Sequence, residues 1–154
     1  MNKAIISFII VAGLLAGCKD DNHKHGDAEH GHLHGDEVHT GGELEPLAYT
    51  LYTDKSELFV EFKPLIVGET TKFAAHFTQL GETFKAVTEG SVTVSLIGNG
   101  TQLTDKAEAP SSPGIFRLAL NPENPGTYQL VFDVHTKEFS DKITIANITV
   151  YPDT

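Results

Sequence analysis

Cysteine occurs once in the 154 residues, at Cys18; tryptophan is absent, and the single methionine is Met1. A lone cysteine excludes an intramolecular disulfide, so a folded domain here must be held by its own apolar core. No apolar run reaches the roughly 20 residues that a membrane-spanning helix needs; Ile5 to Leu15 falls well short. Basic residues are scarce, 11 Lys and Arg against 21 Asp and Glu, for a net charge of −10. That balance argues against nucleic acid and anionic headgroups as electrostatic partners and suits cations. Also missing are a G-x-S-x-G elbow, a phosphate-cradling glycine loop and a His-Glu-x-x-His pair, and nothing points to a dispersed Ser-His-Asp set, so no catalytic residues are expected.

What is present begins with a targeting segment. Lys3 supplies a positive start, Ile5 to Leu15 an apolar stretch of signal-peptide length, and Leu15-Ala16-Gly17-Cys18 follows directly. That tetrad resembles the lipobox of bacterial lipoproteins at all four positions. The resemblance implies cleavage behind Gly17, a diacylglycerol thioether on Cys18 and further acylation of its amine. Two or three acyl chains, at roughly 0.8 kcal/mol per buried methylene, hold a protein on a membrane durably where one chain does not. The segment Lys19-Asp20-Asp21 lacks the Asp directly after the cysteine that marks inner-membrane retention in enteric bacteria. It favours the outer membrane, on its periplasmic face or at the cell surface.

Between Cys18 and Pro46 the composition changes sharply. Six of the eight histidines stand here, at His23, His25, His30, His32, His34 and His39, interleaved with Asp20, Asp21, Asp27, Glu29, Asp36, Glu37, Glu43 and Glu45. Leu33, Val38 and Leu44 are the only sizeable apolar groups, too little to offset the entropy of ordering the backbone, and residues 18–46 are expected to be a disordered tail. His-x-His spacing on such a chain lets several imidazoles gather around one zinc, copper, nickel or cobalt ion. With an ordinary pKa of about 6.5 the rings are mostly neutral near pH 7 and free to coordinate. Asp27, Glu29 and Asp36 add secondary oxygen ligands. A polar spacer and a pH-sensing tail are the alternatives; a spacer does not require imidazole.

From Leu47 onward short β-type runs alternate with turns. Strands are expected over Leu47 to Thr53, Glu57 to Phe62, Thr71 to Thr78, Ser91 to Ile97, Ile115 to Leu120, Thr127 to Val134 and Ile143 to Tyr151. Period-two alternation places Phe73, Ala75 and Phe77 on one face, as it does Val92, Val94 and Leu96, then Phe116, Leu118 and Leu120, then Tyr128, Leu130, Phe132 and Val134. In the last run the apolar parity slips between Ile145 and Ile148, which a β-bulge near Ala146-Asn147 would produce. Gly98-Asn99-Gly100, Pro110 to Gly114 and Pro122 to Gly126 mark turns. The Asn-x-Thr sequences at Asn99 and Asn147 are read as turn and strand composition. About seven strands without βαβ spacing predict an all-β, immunoglobulin-like sandwich over residues 47–152, without the Cys-Trp-Cys core of antibody domains.

The blocks Tyr52 to Phe62, Val67 to Thr78, Gly90 to Leu96, Pro113 to Arg117 and Pro125 to Leu130 resemble the amino-terminal β-domain extension of CzcB-type periplasmic adaptor subunits of heavy-metal efflux pumps of the resistance-nodulation-division class. In those adaptors a lipobox and a histidine-rich tract often precede the domain, so the likeness spans nearly all of the mature chain. Phrases such as Pro-Gly-Thr-Tyr also recur in other β-sandwiches, including copper-associated YtkA-like domains. A whole adaptor continues into lipoyl-like, helical-hairpin and barrel modules that this sequence, ending at Thr154, lacks. The resemblance therefore implies a free-standing relative of the extension or a split gene, with a pump component as a candidate partner.

Two histidines lie within the expected sandwich, His76 and His135. Each reads first as a surface histidine; adjacency across strands would make the two a defined metal half-site. Two function classes follow: a metal-binding accessory of envelope metal homeostasis or efflux, and a tethered module binding protein or saccharide. Fold alone does not separate them.

Overall fold

The computed structural model describes residues 44–152. Cys18 and the histidines of the tail lie outside the described residues. Among the described residues ten strands form: β1 (Leu47–Tyr52), β2 (Ser56–Phe62), β3 (Leu65–Ile66), β4 (Thr71–Gln79), β5 (Lys85–Ala86), β6 (Ser91–Gly98), β7 (Thr101–Ala107), β8 (Ile115–Leu120), β9 (Gly126–His135) and β10 (Ser140–Tyr151). All seven expected strands are among them. The three additional ones are β3 and β5, two residues each, and β7, whose Thr-Gln-Leu-Thr-Asp-Lys-Ala sequence offers the pattern only Leu103 as a sizeable apolar side chain.

The strands make two sheets. One runs β1-β2-β4, with β8 and the short β5 sharing the far side of β4; the other runs β3-β10-β9-β6-β7. Every pairing is antiparallel except β3 with β10. β3 follows β2 in sequence yet joins the opposite sheet, beside the last strand. That switch, with β9 between β10 and β6, gives the immunoglobulin-like connectivity.

Alternation sets the core. Leu58 and Val60 of β2, Phe73 and Phe77 of β4, Phe116 of β8, Val92 and Val94 of β6, Leu130 and Phe132 of β9 and Ile148 of β10 are all buried. Phe73 meets Phe132 edge-on across the two sheets, ring centroids 6.2 Å apart. Burying a Phe or Leu side chain contributes about 1.5–3 kcal/mol relative to leaving it exposed, so these rows supply the cohesion that disulfides do not. Ser95, which alternation turns to the side opposite Val94 and Leu96, is nonetheless only 4% exposed. It pairs with Val131 of β9, itself buried on the same outward side, so the middle of that sheet is covered on both faces.

Two turns behave as their sequences dictate. Asn99 (φ 51°) and Gly100 (φ 73°) both take the left-handed conformation between β6 and β7, the two-residue hairpin geometry that Asn-Gly favours. The β9–β10 register shifts between Ile145 and Ile148, with Asn147 at φ 57°. This bulge returns Ile148 and Val150 to the core after the parity slip. At the start of β9 the Tyr128 hydroxyl donates to the Asn124 carbonyl at 3.0 Å, a tyrosine corner that pins the β8–β9 loop.

Candidate functional site

The two histidines within the sandwich are not neighbours. His76 lies on β4, in register with Phe59 of β2 and Ile115 of β8, half-buried and with its ring 5.6 Å from that of Phe59. His135 ends β9 in the other sheet, exposed, its Nδ1 3.0 Å from the hydroxyl of Ser140, its register partner on β10. The cross-strand half-site that adjacency would create is therefore not assembled from these two. Among the described residues no group of three or more His, Cys, Asp or Glu side chains is arranged to hold a metal ion.

The densest polar constellation surrounds Asp141, at the start of β10. Its Oδ2 accepts from the hydroxyls of Ser56, at 2.6 Å, and Thr53, and its Oδ1 accepts from the Lys142 backbone N–H at 2.8 Å. Thr53 Oγ1 in turn accepts from the N–H groups of Lys55 and Ser56, both at 3.0 Å, which shapes the tight turn between β1 and β2. Lys55 reaches over to donate from Nζ to the Ser140 carbonyl at 3.1 Å. Partial burial pushes the Asp141 carboxyl up, but the hydrogen bonds from Ser56, Thr53 and Lys142 and the charge of Lys55 together outweigh it. The group therefore sits below its ordinary value.

These contacts say what the constellation does. Ser56 is fully buried, and a buried hydroxyl needs a partner; Asp141 supplies it from the opposite sheet. The carboxylate is a latch between the β1–β2 turn and β10. The neighbouring acid, Asp133, pairs with Lys142 at 3.3 Å. With both carboxylates engaged in this way, the His135–Ser140 pair stands as a strand-end hydrogen bond at the foot of the β9–β10 hairpin.

A second polar region lies where β8 meets β7. Glu61, Lys72, Ala74, Asp105, Arg117 and Ala119 line an open, shallow depression there. Asp105 of β7 accepts from the Ala119 N–H of β8 at 2.7 Å, closing an edge amide of one sheet with a carboxylate of the other. Neither Asp141 nor Asp105 stood out in the sequence, because each finds its partner only after folding.

Of the residues expected to carry function, Cys18, His23, His25, His30, His32, His34 and His39, with Asp27, Glu29 and Asp36, fall outside the described residues. Compared with models of protein families and with curated proteins, the chain matches none.

Proposed function

We propose that this protein is an envelope lipoprotein, anchored through Cys18, whose histidine-rich tail binds divalent transition metals in service of heavy-metal efflux or metal homeostasis. The observation that carries the reading is the crowding of six of eight histidines into residues 23–39 among carboxylates. Imidazole is the neutral nitrogen ligand of zinc, copper, nickel and cobalt at neutral pH, and a polar tether has no need of it. The sandwich has the role of a folded platform behind the tail, and docking to a pump component is the role proposed for its surface. The resemblance to efflux-adaptor extensions supports the same assignment.

A second reading, a tethered interaction module, is favoured by one specific feature: Tyr52 and Phe84 are 64% and 76% exposed on the sandwich. The two readings part in the cell. Deleting the gene should sensitise the host to at least one of zinc, copper, nickel or cobalt. The native chain should restore tolerance, and a chain with all six tail histidines changed to Gln should not. Equal rescue by both would favour the interaction module.

A further inference from the structure

An edge strand offers a row of unpaired backbone groups to any other chain, and proteins that stay apart blunt such edges with charge, proline, bulges or short length. Among the described residues the edges of this sandwich are blunted, with one exception. β3 and β5 are two residues long. β7 carries Asp105 and Lys106, the latter paired with Glu108 at 2.9 Å. On β8 the Ala119 N–H is taken by Asp105, and the Ile115 carbonyl by the Ser111 N–H and hydroxyl. β10 has its bulge at Ala146-Asn147 and, at Ser140, the Lys55 ammonium.

β1 has none of these. Leu47-Ala48-Tyr49-Thr50-Leu51-Tyr52 contains no charge, proline, glycine or bulge, and among the described residues it pairs in unbroken register with β2 alone, along one side. Its inward side chains are also less well covered than those of its neighbour. Leu47, Tyr49 and Leu51 are only partly buried, whereas Leu58, Val60 and Phe62 of β2 are at most 3% exposed.

We infer that β1 pairs with β1 of a second copy of this chain, antiparallel and two-fold symmetric, joining the two β1-bearing sheets into one. Self-complementarity argues for a copy over a foreign strand. In a register centred on Thr50, Thr50 faces Thr50 of its partner, the small Ala48 faces the exposed Tyr52, and half-buried Tyr49 faces half-buried Leu51. Thr–Thr pairs are among the favourable cross-strand combinations. Charge agrees: the strip itself is neutral in a chain of net charge −10. A two-fold contact of this kind is satisfied by two copies and closes there.

Sedimentation of the full chain tests this. The native chain should form a dimer. Thr50 is exposed, so Thr50→Lys and Thr50→Glu should each fold yet sediment as monomers, because like charges face each other across the symmetry axis. An equimolar mixture of the two variants should restore the dimer. In the full chain with Cys18 changed to Ser, Thr50→Cys should give a disulfide-linked dimer under oxidation, and Gln129→Cys should not, which keeps the test decisive even where a charged variant misfolds. A native chain that is monomeric throughout, a dimer indifferent to Thr50→Lys, or growth beyond two copies would each overturn the inference.

Discussion

Ser56 and Asp141 stand 85 residues apart in the chain, and the hydroxyl of the first donates to Oδ2 of the second at 2.6 Å, tying one sheet to the other. The latch matters energetically because Ser56 is fully buried. Removing the partner of a buried donor costs its desolvation, about 1–3 kcal/mol. Asp141→Ala should therefore lower stability by about that amount at neutral pH. Ser56→Ala, which removes the buried group itself, should cost less. Thermal melts of the two variants beside the native chain give the comparison.

The acid limb of stability follows from the same carboxylate. Its folded pKa is depressed below the ordinary 3.8, so between the folded and unfolded values the unfolded chain binds more protons and stability rises with pH. The latch contributes fully above the unfolded value and is lost as pH falls through the folded one. Asp141→Asn should flatten this part of the profile. A melting-temperature series from neutral to strongly acid pH, run on both chains, should converge at the acid end and separate toward neutrality.

The tyrosine corner gives a third expectation. Tyr128→Phe removes the hydrogen bond to Asn124 while keeping the ring, and should cost about 1 kcal/mol. Gly98→Ala presses on the same ring from β6, since a Cβ there would stand 2.7 Å from Tyr128 Cδ1 and 3.0 Å from the Thr127 carbonyl. Overpacking of that kind costs about 1–3 kcal/mol. Denaturant melts should rank Gly98→Ala at or below Tyr128→Phe, and the reverse order by a wide margin would contradict this packing.

Much of this fold was legible in the chain, for a physical reason. Where apolar side chains alternate against polar ones, as in Phe73-Ala-Ala-His-Phe77, burial of one face sets both strand and register. Even the bulge was visible, because Ile145 and Ile148 must both face inward. β7 was not, since an edge strand with one sizeable apolar residue carries no such signal. Nor was the latch, whose members are 85 and 88 residues apart and of types common in any turn. Pro125-Gly-Thr-Tyr128 did hold a signal for the tyrosine corner: a Tyr just inside a strand that follows a proline-rich turn. For the candidate metal ligands the order is reversed. His23 to His39 are conspicuous by composition alone, and they lie outside the described residues.

Membrane attachment through Cys18 is tested by changing that one atom. Cys18→Ser removes the thioether acceptor and should move the protein from the membrane fraction to the soluble envelope fraction. The intact mass of the native protein should exceed that of residues 18–154 by the lipid it carries. An unmodified native chain in the soluble fraction would contradict the anchor and leave the tail's chemistry as a separate question.

The central claim is that the tail binds metal, and isothermal titration calorimetry tests it most directly. Zinc, copper(II), nickel and cobalt would be titrated into the full chain, into the same chain with His23, His25, His30, His32, His34 and His39 changed to Gln, and into a His76→Gln/His135→Gln double variant. The account predicts micromolar or tighter binding of at least one ion by the native chain, retention in the double variant and loss in the six-histidine variant. Binding that survives the loss of all six tail histidines, or no binding by the native chain, would contradict it.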